Sequence, residues 1–283
     1  MVNHIVVPPG IGDFSWIWSK FSTTDDKFFI EYADTGPERL EAFLKLLPKD
    51  KIVGWAKSEK YKVGFNIEDL EMIVMPGLLK LKYYNQFKEN PGKIFYVEAN
   101  THLERGNRIE EWMPSLKTDF HYEIQGKYPE VKKLNMFIVH LSSSKMQRLW
   151  KCYGKEDVMM MIRMIQKAKD WTPLFVGAEY DDFAMECAKE YIDRYDNRAI
   201  NLIGNTCDLR DMVSLLKRAK LFLGLVSSGL TMMANVLSVP SISWWPRPGL
   251  PKSWADQKIM FKWFLWKDFT KDYYEVRRLL GGL

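Results

Sequence analysis

The stretch Leu221-Phe-Leu-Gly-Leu-Val-Ser-Ser-Gly-Leu-Thr-Met-Met-Ala-Asn-Val-Leu-Ser-Val-Pro-Ser-Ile-Ser-Trp244 decides the fold. It reads as a buried strand, a tight Ser227-Ser228-Gly229 turn, an amphipathic helix and a second strand. Such a turn offers free backbone N–H groups and two hydroxyls at a helix N-terminus, which suits a phosphate. The layout recurs near the start of the chain. There His4-Ile-Val-Val7 runs through Pro8-Pro9-Gly10 into Gly10-Ile11-Gly12-Asp13, so the second turn ends in a carboxylate. Two such turns, one friendly to phosphate and one acidic, predict two α/β units facing each other across a cleft.

Strand and helix signals alternate along the rest of the chain. Strands are expected at Phe28–Tyr32, Lys51–Gly54, Glu71–Met75 and Ile94–Val97, with helices at Phe14–Phe21, Pro37–Leu47, Leu78–Phe87 and Arg108–Trp112. A polar segment from Tyr122 to Leu134, broken by Gly126 and Pro129, reads as a linker. Met136–His140 restarts the pattern. A Met-rich helix (Asp157–Lys169), a strand (Pro173–Val176), a helix (Asp181–Tyr195), a strand (Ala199–Ile203) and a helix (Leu209–Ala219) follow. Asp208 or Thr206 would cap the last of these. Alternation of this kind argues for largely parallel sheets covered on both faces. Met160, Met161 and Met164 are expected to fill core space.

At 283 residues the chain can bury two cores of ordinary size. The segments expected are 1–133 and 134–265, with a tail at 266–283. No run of 18 apolar residues suggests a spanning helix, and the first residues enter a strand without the pattern of a secretory signal. Cys152, Cys187 and Cys207 are scattered and read as free thiols of a reducing, cytoplasmic setting. His4, His102, His121 and His140 have no metal-ligand spacing, so no metal site is expected. Residues 1–133 carry 19 Lys and Arg against 20 Asp and Glu, and residues 134–283 carry the remaining 22 against 16. The basic excess thus lies with the Ser-Ser-Gly turn, where an anionic ligand would go.

Gly10-Ile11-Gly12-Asp13 admits a dinucleotide reading, with Glu31 or Asp34 as the ribose acid. Two features oppose it. Ser15 takes the place of the third glycine, and Asp13 sets a negative charge where a pyrophosphate would lie. A carboxylate between a strand end and a helix N-terminus can instead remain ionised and take a proton from an incoming hydroxyl. Asp13 as a simple cap of the following helix stays open beside that role.

Four segments together resemble the heptosyltransferase family of glycosyltransferases. Gly10-Ile-Gly-Asp13 is similar to the family's opening Gly-Asp turn. His140-Leu-Ser-Ser-Ser-Lys-Met-Gln-Arg-Leu-Trp150 is similar to its hydroxyl-rich loop leading to Lys and Trp. Leu202-Ile-Gly-Asn-Thr-Cys-Asp-Leu209 and the Ser227-Ser228-Gly229 turn match two later motifs. The resemblance implies the GT-B architecture: two Rossmann-like domains, the first on the acceptor side, the second binding the nucleotide sugar, and a C-terminal helix crossing back to the first domain. It also implies inverting, metal-independent transfer with no cofactor beyond the donor, and Asp13 as general base.

On the donor side it implies Gly12, Ser143, Ser144, Arg148, Thr206, Ser227, Ser228 and the N–H of Gly229 around the diphosphate. Arg247 is a further candidate there, and Glu179 one for the ribose hydroxyls. The chain departs from the family where Ser227 and Met232 replace an acid and a histidine, which puts the usual ADP-heptose donor in question.

The C-terminal quarter interleaves Trp244, Trp245, Trp254, Trp263 and Trp266 with Lys252, Lys258, Lys262, Lys267 and Lys271. The expectation is a closing helix, with peripheral contact to the inner membrane face or stacking on nucleic acid as alternatives. Expected partners are a nucleotide-sugar donor and a glycan, glycolipid (lipopolysaccharide-type) or hydroxylated-DNA acceptor, the last suiting a phage-type DNA-modification enzyme. The chain is expected to act as a monomer. A nicotinamide-dependent oxidoreductase and a non-catalytic nucleotide-sugar-binding module are the competing classes.

Overall fold

The computed structural model describes residues 2–7, 15, 25, 27–33, 46, 50–58, 94–96, 133–141, 154–205, 209–224, 229–245, 261–265 and 269–282. By contacts the chain divides into Met1–Gln125 and Gly126–Leu283.

Among the described residues the first unit holds four parallel strands: β1 (Val2–Val7), β2 (Lys27–Ala33), β3 (Ile52–Ser58) and β4 (Ile94–Tyr96). Their order is β3-β2-β1-β4. β1 pairs β2 with Val2 against Lys27 and Val7 against Tyr32, and β3 joins β2 with a register shift at Phe28/Phe29. The expected strand Glu71–Met75 and the four expected helices of this unit fall outside the described residues, apart from Ser15 and Leu46.

Among the described residues the second unit holds six parallel strands: β5 (Met136–His140), β6 (Thr172–Val176), β7 (Ile200–Asn201), β8 (Leu221–Gly224), β9 (Ser241–Trp245) and β10 (Phe261–Leu265). Their order is β10-β9-β8-β5-β6-β7. By order of appearance this is 6-5-4-1-2-3, the doubly wound arrangement. Its central strands are buried along their whole length, as a sheet covered on both faces requires.

Among the described residues five helices accompany this sheet: α1 (Lys155–Lys169), α2 (Asp182–Arg194), α3 (Leu209–Arg218), α4 (Gly229–Val236) and α5 (Phe269–Leu280). Phe137, Val139, Phe175, Leu223 and Trp244 form one core with Met159, Ile162 and Ile165 of α1, Cys187 and Tyr191 of α2, and Val276 and Leu280 of α5. Side chains alternate across a strand, so Ile138, His140 and Phe222 face the opposite layer. Acids open α1 and bases close it, which suits the helix dipole, and the Asp157 carboxylate accepts from the Gly154 N–H at 3.2 Å. Tyr191 donates to Gln166, whose amide donates to Asp196. Arg198 bridges Asp196 and Asp170, tying the ends of α1 and α2 together.

Three expectations need correction. Residues 261–265 form a sixth strand, β10, whose ladder to β9 runs from Phe261/Ser241 to Leu265/Trp245. α5 lies within the tail segment 266–283, with Val276 and Leu280 among the core residues of the second unit and the Trp244 indole donating to Asp272 at 2.9 Å. Trp244 and Trp245 are fully buried, so they form no surface stripe. Met161 and Met164 fill the core as expected, whereas Met160 is exposed. Among the described residues no helix is long and apolar enough to cross a membrane.

Candidate functional site

Ligands of doubly wound sheets bind outside the carboxyl ends of the strands, where the strand order reverses. In the second unit that point lies between β5, which leads to β6 on one side, and β8, which leads to β9 on the other. Their last residues, His140 and Gly224, are register partners. β5 and β8 therefore end side by side at this edge.

His140 is buried, with its ring stacked on Phe222 at 6.2 Å between centroids and 26° between planes. Burial disfavours the imidazolium and pulls the pKa down to about 4, so the ring is neutral near pH 7. Gly224 explains how α4 reaches this place. A β-carbon there would lie 2.7 Å from Cε1 of Phe222 and 3.0 Å from Oγ1 of Thr231. Both side chains are fully buried and have little room to yield. Glycine thus lets the first turn of α4 settle directly on the strand end. α4 begins at Gly229, which puts its N-terminus, with the free N–H groups of a helix start, at the carboxyl edge of the sheet.

Glu179 follows β6 at the same edge and is exposed. Gly204, just beyond β7, has φ +78° and donates its N–H to the Gly177 carbonyl at 3.0 Å. A β-carbon on Gly204 would stand 3.0 Å from the Glu179 β-carbon. The left-handed glycine therefore lays the segment after β7 against Glu179. On the other side the buried Asp181 accepts from the Ala184 N–H at 3.2 Å and caps α2. Glu179 is thus held between two ordered stretches over the second strand of the doubly wound order, where an acid can meet ribose hydroxyls.

Of the residues expected at the site, the structure brings Glu179 and Gly229 to one edge of the second sheet. Asp13, Gly12, Ser143, Ser144, Arg148, Thr206, Ser227, Ser228 and Arg247 lie outside the described residues. Sequence reasoning missed the contribution of Gly224 and Thr231. The available signal was a glycine inside an apolar strand run, which often marks a close backbone approach. Among the described residues no group of three or more His, Cys, Asp or Glu could hold a metal ion.

No family model matches the chain, and no curated protein matches it significantly. Solved structures do. The E. coli ADP-heptose lipopolysaccharide heptosyltransferase II aligns over 100% of this chain and 99% of its own, with a TM-score of 0.61 and 12% identity. The chain has the GT-B fold. The heptosyltransferase TibC, solved in complex with ADP-D-β-D-heptose, aligns over 92% of this GT-B chain and 61% of its own, with a TM-score of 0.51 and 12% identity. A Methanocaldococcus jannaschii UDP-GlcNAc 2-epimerase superposes more loosely, with a TM-score of 0.48 at 14% identity, over 99% of this chain and 93% of its own.

Proposed function

We propose that this GT-B protein is an inverting, metal-independent glycosyltransferase that moves a sugar from a nucleotide-diphosphate donor to an acceptor hydroxyl. The observation that carries the reading is the strand-order reversal in the second unit. There β5 and β8 end side by side, glycine admits α4 to the strand end, and the helix N-terminus stands at the ligand edge. The end-to-end alignment with a heptosyltransferase supports the same class.

In this reading the donor diphosphate lies at the N-terminus of α4, against the N–H of Gly229 and the hydroxyls of Ser227 and Ser228. Ser143, Ser144 and Arg148 come from the segment after β5, Thr206 from that after β7, and Arg247 from that after β9. Glu179 accepts hydrogen bonds from the ribose. The acceptor oxygen attacks the anomeric carbon from the face opposite the leaving group, and its proton passes to the Asp13 carboxylate beside Gly12. The bond from the anomeric carbon to the diphosphate oxygen breaks, and its electron pair leaves with the nucleoside diphosphate. Charge that builds on that oxygen is met by fixed N–H groups, hydroxyls and Arg148 in place of a divalent cation. A glycan or glycolipid is the favoured acceptor class, with heptosyl or hexosyl groups as the transferred sugars.

A thermal-shift screen of nucleotide sugars against nicotinamide cofactors tests the class. Stabilisation by a nucleotide sugar at ligand concentrations well above Kd is expected, by about 2.7 kcal/mol at a hundredfold excess over Kd. A shift with NAD(P) alone would overturn the reading.

A further inference from the structure

Helices α1 and α5 lie side by side on one face of the second sheet and run in the same direction. Asp272, early in α5, meets Trp244 near the carboxyl end of β9, and Glu275, further along, meets Lys262 near the amino end of β10 at 2.8 Å. α1 likewise descends from the end of β5 to the start of β6. Their inner faces are spent on the core. Their outer faces expose Met160, Arg163 and Lys167 on α1, and Tyr274, Arg277 and Arg278 on α5. Spacings of three and four place each set on one stripe. Met160 and Tyr274 are 48% and 63% exposed, unusual for side chains of this kind, and each is the sixth residue of its helix.

The acids of the two helices are all engaged elsewhere. Glu156 pairs with Arg194 at 2.6 Å, Asp157 accepts from Gly154, Asp272 is buried against Trp244, and Glu275 pairs with Lys262. The outer stripe therefore carries Arg163, Lys167, Arg277 and Arg278 around two projecting apolar tips. Arg163 also lies over the Tyr195 ring at 4.7 Å. The basic face has an edge, because α2, beyond α1, exposes Asp182, Glu186 and Asp193.

We propose that this α1–α5 face docks the protein on an anionic phospholipid bilayer. Four clustered cations suit the potential of an anionic leaflet, and Tyr274 and Met160 can enter its interface while the guanidiniums stay among the headgroups. Nucleic-acid binding favours a basic groove lined by several stacking rings; this face is a pair of helical ridges with Tyr274 as the projecting ring. Trp244 and Trp245 of the C-terminal quarter take no part in this surface, because both are core residues.

Sedimentation of the full chain with vesicles tests the proposal, using phosphatidylcholine alone and with about 30 mole per cent phosphatidylglycerol. Binding is expected to the anionic vesicles only, and to weaken as salt is raised. At about a fivefold loss per basic side chain, Arg277→Ser with Arg278→Ser should weaken it about thirtyfold. Arg163→Ser with Lys167→Ser should weaken it comparably, which keeps the test sound if the first pair unfolds α5. Lys189→Ser, on α2, should leave it unchanged. Equal binding to neutral vesicles, no binding to either, unchanged affinity in both double variants, or preference for a duplex oligonucleotide at the same salt would each overturn the proposal. The measurement uses no donor or acceptor, so its failure is distinct from failure of the transfer reading.

Discussion

The indole N–H of Trp244 donates to the Asp272 carboxylate at 2.9 Å inside the core of the second unit, joining β9 to the C-terminal helix. This bond makes α5 a structural part of that unit. Asp272→Leu leaves a buried N–H without this acceptor, and the lost charge-assisted bond and desolvated donor together cost about 2–3 kcal/mol. Urea unfolding followed by Trp fluorescence should show the loss, and Asp272→Asn should lose less than Asp272→Leu.

Gly224→Ala is expected to destabilise the protein by about 1–3 kcal/mol, because the new β-carbon meets the Phe222 ring and the Thr231 hydroxyl in a packed layer. The strain falls where α4 meets the strand end, so donor affinity should fall as well. Thr231→Ala removes one of the two obstructing atoms, and combined with Gly224→Ala it should recover part of the lost stability. A double-mutant cycle by thermal unfolding measures that recovery.

The buried neutral His140 has a sign that can be worked out. Its folded pKa of about 4 lies below the unfolded value near 6.5, so the unfolded chain binds the extra proton between those limits. Its contribution is full above about pH 6.5 and is lost progressively as pH falls toward 4, amounting to about 3 kcal/mol in total. His140→Gln should flatten that part of the pH–stability curve, measured by urea unfolding at pH 7 and pH 4.5.

Cys187 is fully buried on α2, and burial pushes its thiol up to about 12. The thiolate is the reactive form, so this cysteine should resist iodoacetamide at pH 8 in the folded protein and react once urea unfolds it. Peptide mapping by mass spectrometry resolves it from Cys152 and Cys207.

The most legible part of the fold was the segment that carries the site. Leu221–Trp244 reads as strand, turn, helix and strand because apolar runs, a glycine turn and helical spacing agree there, and β5 fell at its expected ends. β10 was missed because Phe261-Lys-Trp-Phe-Leu265 neither alternates nor runs apolar throughout. Its strand state comes from pairing with β9, a tertiary cause invisible to local pattern. Met160 stands beside two buried methionines in sequence, and only the packing of α1 turns it outward. The contact between Gly224 and Thr231 likewise depends on where α4 lands. Asp13 lies outside the described residues, and its role rests on its position in Gly10-Ile-Gly-Asp13 and on the resemblance that motif carries.

The most direct test of glycosyl transfer is nucleoside diphosphate release from the donor selected by the thermal-shift screen, in EDTA with acceptor, for the wild type and Asp13→Ala. The account predicts metal-free release by the wild type. In Asp13→Ala it predicts a loss of about 10²–10⁴-fold in rate, the range for a general base, with donor affinity retained. Release at an unchanged rate in Asp13→Ala would contradict it.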